Sequence, residues 1–347
     1  MALRLFPDTT AAEWNTRIAA TPSGGNIFQS HELGEVKRLA RWTPRYAESD
    51  GIAMTIHEKR ATPFGTIWYL PKGPCVADTA QLAGVVADLA AEARSRGVLF
   101  VRIEPELPET PENVAALESL GLRHVEPVQP HTSTVIHALP EDEEGLLASY
   151  PSKTRNMVRR AGREGVLVER APDSDETYDD MWEIWQDVVR DQGLAVRSKE
   201  YHVASWKLMV RSGLAQVLMA RVDGEAVASA VVASLGEAAA YKEGASLRDR
   251  PVPGVSQLVQ YEGMRWALER GARTYDLVGV PHSSELDDTS HPRHGIGKFK
   301  RGFTKEVIDW VGAWDIVVHP RRYALWQRVG ERAVARVQRR EPGDTFW

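Results

Sequence analysis

The sequence predicts an α/β fold, α+β in detail, built from two similar units, and three observations carry that prediction. Helical and extended patterns alternate along the whole chain. At 347 residues the chain exceeds one ordinary domain and can build two cores. Two distant segments, "AEARSRGVLFVRIEP" and "RWALERGARTYDLVG", share one design. Each reads as a helix ending in Arg-Gly, then a strand with an acid near its end, Glu104 and Asp276.

Taken in order, Asp8 is expected to cap a helix through Ala19, and "SHELGEVKRLARW" reads as a second helix. "GTIWYL" reads as a strand stopped by Pro71, Gly73 and Pro74. "DTAQLAGVVADLAAEARSRG" has helical periodicity and a Gly stop, and "VLFVRIEP" follows as a buried strand. "PENVAALESLG" is helical; "LRHVEP" and "TSTVIHAL" are extended. The second half repeats the plan. Two helices, "SDETYDDMWEIWQDVVRDQG" and "SKEYHVASWKLMVRSG", precede a meander of "AQVLMARV", "EAVASAVVASL" and "AAAYKEGAS" around a "DGE" turn. A helix, "SQLVQYEGMRWALERG", and a strand, "RTYDLVG", complete it. The period is too long for a solenoid. The boundary is placed near Leu139–Pro151, giving units at 1–145 and 146–320 and a C-terminal helix and tail at 321–347. No flexible Gly/Ser linker intervenes, so the units are expected to pack as one body.

Composition narrows the chemistry. The chain is 43% apolar and 26% charged, with net charge −5, so it is no general polyanion binder. Charge is nevertheless uneven. His291–Trp347 holds 12 Lys/Arg against 6 Asp/Glu, and Pro151–Gly165 holds five cations and one anion. Two basic zones on an acidic body suit a partner touching one face, such as tRNA or a nucleotide-linked substrate. A single cysteine, Cys75, excludes a disulfide framework or a Cys-based zinc site within the chain. The N-terminus lacks a signal-peptide pattern and no apolar run reaches membrane-spanning length, so a reducing, cytoplasmic setting without an integral membrane segment is expected.

P-loop, nucleophile-elbow and zincin motifs are missing. His282, His291 and His294 lie close to Asp287 and Asp288, but the spacing fits no helical ligand pair, and they read as polar loop residues; no metal is expected. "RDRPVPG" (Arg248–Gly254), between strand and helix, offers a helix N-terminus to an anion. Its prolines remove the N–H groups that coenzyme A would need. "SKTRNMVRRAGREG" is a basic helix with Met157 and Val158 on its inner side, suited either to solvent or to phosphate contact. Arg197 and Tyr201 share a helix face at i, i+4. "HGIGKFKRGFTKEV" crowds Lys298, Lys300, Arg301 and Lys305 around Phe299 and Phe303.

The order of "NIFQSHELGEVK", "YLPKGP", "RIEP", "PVQPHTSTVIHAL", "SKTRNMVRRAGREGV", "YKEGAS", "ALERGARTYDLVGV" and "GIGKFKRGF" resembles the Fem peptidyltransferase family (FemABX), over about residues 26 to 320. The resemblance implies a pair of acetyltransferase-like (GNAT) units. It also implies transfer of an amino acid from aminoacyl-tRNA to an amine on the stem peptide of a peptidoglycan precursor. Long heptad-bearing helices are lacking, so the likeness is to the compact FemX type without a coiled-coil arm. Carried over, Lys300 and Phe299 line the reaction channel. Lys37 and Arg197 hold the phosphates of a UDP-linked precursor with Tyr201 beside them, Tyr241 lines the peptide channel, and Phe303, in the same F-K-x-x-F element as Lys300, is a substrate-binding residue. Lys153, Arg155, Arg159, Lys298, Arg301 and Lys305 are the cations offered to tRNA. Glu104 stands where the family often has Asp, and reads better as a structural strand-end carboxylate than as a base.

An aminoacyl ester is already activated, so no cofactor is expected. The implied partners are aminoacyl-tRNA and UDP-MurNAc-pentapeptide or a lipid-linked precursor; the latter would draw the enzyme to the inner membrane face. Three readings stay open beside this one: a tRNA-dependent transferase acting on a natural-product amine, an acetyl-CoA-dependent N-acetyltransferase, and a non-catalytic binding module.

Overall fold

The computed structural model describes residues 2–129, 132–192, 197–248, 252–338 and 346–347. It divides into two compact units, Met1–Thr132 with Asp309–Trp347, and Ser133–Ile308.

The first unit is a seven-stranded sheet in the order Arg4–Leu5, Thr43–Ser49, Ile52–Ala61, Gly65–Leu70, Val98–Ile103, Ala313–Val317, Arg123–Val125. Gly65–Leu70 and Val98–Ile103 run parallel; the other pairs are antiparallel. The parallel pair is joined by the helix Thr79–Ser95, capped by Asp78. Its Leu82, Val85, Val86 and Leu89 pack on Trp68, Leu70, Val101 and Ile103 in the core.

The second unit has six strands in the order Ile136–Ala138, Thr274–Asp276, Ala238–Ser246, Glu225–Leu235, Ala215–Val222, Leu167–Arg170. Here too one pair is parallel, Ala238–Ser246 with Thr274–Asp276, and the helix Val255–Glu269 connects it. The predicted echo is therefore a shared βαβ crossover, the connection that parallel neighbours require. Gly263 lets that helix approach its sheet: a Cβ there would meet the Tyr275 hydroxyl at 2.8 Å and Val232 at 2.9 Å.

Several boundaries differ from the sequence expectation. The first helix is Ala11–Ala19, and its cap is Thr10 rather than Asp8, because Thr10 and Glu13 form a reciprocal capping box. The units divide after Thr132 and again at Asp309, not near Leu139–Pro151 and 320. Two pairings decide this. Ile136–Ala138 joins Thr274–Asp276 in the second sheet, and Ala313–Val317 inserts between Val98–Ile103 and Arg123–Val125 in the first. A buried bidentate pair fixes the inserted strand, Arg102 to Asp315 at 2.8 and 3.0 Å. No coiled-coil arm occurs among the described residues; the longest α-helix, Asp175–Gln192, has 18 residues and packs on its own unit's sheet. Nor is any described helix long and apolar enough to cross a membrane.

Candidate active site

The strand Thr274–Asp276 ends early because Val278 and Gly279 take positive φ, 49° and 65°. Asp276 supports this turn by accepting hydrogen bonds from the Val278 N–H at 2.7 Å and from the Thr134 hydroxyl. Two successive left-handed residues turn the Val278 and Gly279 carbonyls toward one point, and the Lys300 ammonium occupies it. Its Nζ donates to the Val278 carbonyl and, at 3.0 Å, to that of Gly279.

Lys300 is the last residue of the helix His294–Lys300 and is only 8% exposed. Burial pushes its pKa down to about 8, with Asp276 opposing the shift and Arg293 adding to it. It lines a cavity of about 670 Å³ with Tyr241, Phe299, Met157, Ser246 and Gln260. The ammonium lies 5.7 Å from the Tyr241 ring centre. Tyr241 reaches this position because Gly244 has no side chain: a Cβ there would collide with the tyrosine's hydroxyl and ring carbons. A register shift between Val231 and Val232 lies opposite, leaving Lys242 between the paired Tyr241 and Glu243.

The other expected residues fall as follows. Phe299 lines the cavity and meets Phe303 edge-on at 5.7 Å. Phe303 itself is 1% exposed and packs against Tyr150 at 5.2 Å. It belongs to the core and not to the cavity wall, because the turn after Lys300 directs it inward. Arg197 covers Tyr201 at 4.7 Å, as the i, i+4 spacing predicts. Lys37 belongs to the first unit, on the helix His31–Leu39, with its ammonium 5.7 Å from the Tyr69 ring centre. Burial and then Lys37 hold His57 well below its usual range.

On the helix Ser152–Arg163, Lys153 and Arg159 are exposed. Arg155 instead donates to the Ala148 and Tyr150 carbonyls, at 3.1 and 3.4 Å, and so caps the preceding helix Glu143–Ser149. Val158 is buried, and Met157 reaches the cavity. Lys298 and Lys305 are exposed and Arg301 is half-buried.

Glu104 has both oxygens occupied: one accepts from Tyr69 at 2.7 Å, the other from the Val128 and Gln129 N–H groups at 2.7 and 3.0 Å. Such a carboxylate fixes a loop, in keeping with the structural reading. Pro130 and His131 of the "PVQPHTSTVIHAL" segment, and Asp249, Arg250 and Pro251 of "RDRPVPG", lie outside the described residues.

One cluster escaped the sequence reading. Glu243 pairs with Lys242 at 3.0 Å, accepts from the Trp206 indole at 2.9 Å and lies 3.8 Å from His202. Burial alone would raise the Glu243 carboxyl, but Lys242, His202 and Trp206 outweigh it and hold it well below its ordinary range. The signal was present in "YKEG", two charges inside an otherwise apolar strand run.

Two α/β units, each a meander with a crossover helix feeding a parallel strand, define a tandem acetyltransferase-like protein. A sequence model of the acetyltransferase (GNAT) domain matches residues 148–290, and one of the FemAB family matches residues 255–330. The chain is 25% identical over 269 residues to the UDP-N-acetylmuramoylpentapeptide-lysine N(6)-alanyltransferase of Weissella viridescens, covering 74% of this chain and 77% of that protein. It is 21% identical over 407 residues to the lipid II:glycine glycyltransferase of Staphylococcus haemolyticus, covering 93% and 95%. The crystal structure of FemX superposes with a TM-score of 0.79 at 18% identity, over 95% of this chain and 100% of that one. The chain is thus similar to the FemABX family in sequence and in fold.

Proposed function

We propose that the protein transfers an aminoacyl group from aminoacyl-tRNA to an amine of a peptidoglycan stem peptide, extending or starting an interpeptide bridge. The observation that carries this reading is the buried Lys300 ammonium at the wall of a large cavity, in a chain whose relatives are named for alanyl and glycyl transfer.

The acceptor amine, with an ordinary pKa of about 10.4, must lose a proton to attack. A cavity screened from water favours its neutral form. Its nitrogen bonds to the ester carbon, and charge collects on the carbonyl oxygen. An ammonium has three N–H donors. At Lys300 two are engaged by Val278 and Gly279, which fix the third in direction. That donor stabilises the oxyanion without reorganisation. Collapse breaks the carbon–oxygen bond to ribose, and the proton released by the attacking nitrogen passes to the ribose oxygen. No side-chain base is required; holding ester and amine together supplies much of the rate. Phe299 and Tyr241 keep the ammonium dry. Arg197, packed over Tyr201, is the cation assigned to the acceptor's phosphates. Lys153, Arg159, Lys298, Arg301 and Lys305 are those assigned to tRNA.

The test is transfer of labelled amino acids from charged tRNA to UDP-MurNAc-pentapeptide. Transfer that stops with ribonuclease and in Lys300→Met supports the reading. Transfer that survives ribonuclease, or acetylation of the acceptor by acetyl-CoA, replaces it.

A further inference from the structure

The chain ends its first unit in a helical run that the reaction does not use. Pro320–Leu325 continues into a π turn, Trp326–Gly330, and then into Glu331–Gln338. Tyr323, Trp326, Gly330 and Val334 form its buried seam. Trp326 packs on Phe64 and Phe100, and its ring lies where a side chain at Gly330 would stand.

The outer face is unusual. Arg321, Leu325, Arg328, Val329, Arg332 and Arg336 are all exposed. Leu325 is 52% and Val329 49% exposed, one helical turn apart and set among the arginines. Glu331 is the one acid between residues 321 and 336, and it accepts a hydrogen bond from the Trp347 indole. Arg322 is turned away to the Phe64 carbonyl.

Arginines alone would suit RNA phosphates equally well. Two exposed aliphatic side chains would not, since phosphate and ribose leave them in water. An anionic lipid surface satisfies both sets: headgroup phosphates meet the guanidinium groups, and Leu325 and Val329 enter the acyl boundary. Arginine stems can extend along that boundary while their heads stay wet. We propose that this face docks the protein on an anionic membrane surface. By holding the enzyme there it favours an acceptor carried on lipid over one free in solution; this last step rests on the acyl-transfer reading, whereas the docking itself does not.

The test is flotation of the whole protein with phosphatidylcholine vesicles, with and without one third phosphatidylglycerol. The protein should float with the anionic vesicles only, and release as salt is raised. Arg328→Gln with Arg332→Gln should weaken binding by roughly five-fold per arginine. Leu325→Ser with Val329→Ser should weaken it at unchanged charge. Both pairs should keep the wild-type thermal midpoint and the wild-type rate on the soluble nucleotide-linked acceptor, while losing rate on acceptor embedded in vesicles. Equal binding to neutral vesicles, or none to anionic ones, overturns the proposal. So does vesicle binding that survives both pairs while charged-tRNA binding falls, which would make the face an RNA surface. Anionic-vesicle binding with no transfer to any acceptor would overturn the reaction and leave the docking surface standing.

Discussion

The Lys300 ammonium stands 3.0 Å from the Gly279 carbonyl oxygen, held on a turn whose left-handed residues, Val278 and Gly279, begin two positions after Asp276. That relationship fixes one charge in a buried place and sets the first prediction. Lys300→Met should lower kcat by two to three orders of magnitude, corresponding to about 3–4 kcal/mol for a lost oxyanion donor, with KM nearly unchanged. Steady-state kinetics at saturating charged tRNA measure this; a rise in KM at constant kcat would assign Lys300 to binding alone.

The pH profile gives a second prediction with a definite sign. Lys300 carries its proton below about pH 8 and loses it above, while the acceptor amine becomes reactive as pH rises. Activity should therefore be bell-shaped, with a falling limb near pH 8. Asp276 raises the Lys300 pKa and Arg293 lowers it. Asp276→Asn should move the falling limb to lower pH, and Arg293→Gln should move it higher. Shifts in the same direction for both variants would show that another group controls the limb.

Gly244→Ala should displace Tyr241, because the new methyl would overlap the ring. We expect kcat/KM to fall by up to about 100-fold, the scale of a small misplacement near the reacting atoms. Combined with Tyr241→Ala, the glycine change should cost little more, since the clash is then gone. Additive losses would place the effect of Gly244 elsewhere.

Arg102 and Asp315 are both buried, and Tyr323 adds a 2.8 Å hydrogen bond to the same carboxylate. Asp315→Ala leaves a buried guanidinium without its charge partner and should cost about 3–5 kcal/mol, read from the urea midpoint. Arg102→Met with Asp315→Leu should recover much of the loss. A double variant as unstable as the single one would mean that packing, not charge, governs the site.

The basic helix offers a contrast between two kinds of arginine. Lys153→Gln with Arg159→Gln should raise KM for charged tRNA and flatten its dependence on salt, by nearly one unit of log–log slope per lost phosphate contact. Arg155→Met should instead lower stability, since Arg155 serves the carbonyls of Ala148 and Tyr150. Unchanged tRNA binding in the first variant would remove this helix from the tRNA surface.

The sequence by itself determined most of the longer helices, several strands and the duplication of the helix-strand unit. Side-chain periodicity and the Arg-Gly stops are short-range signals, readable within one or two turns. It also singled out Lys300 between two aromatics beside "YDLVGV". Only tertiary structure decided that Phe303 turns into the core while Phe299 faces the cavity, since both are phenyl groups on one short segment. Only tertiary structure could place Ala313–Val317 in the first sheet, where Arg102 meets a carboxylate 213 residues away. The strands Thr43–Ser49 and Ile52–Ala61, which sequence periodicity did not single out, gain their identity the same way. Pairing between distant segments depends on which partner completes a sheet edge or neutralises a buried charge, and no local pattern carries that information.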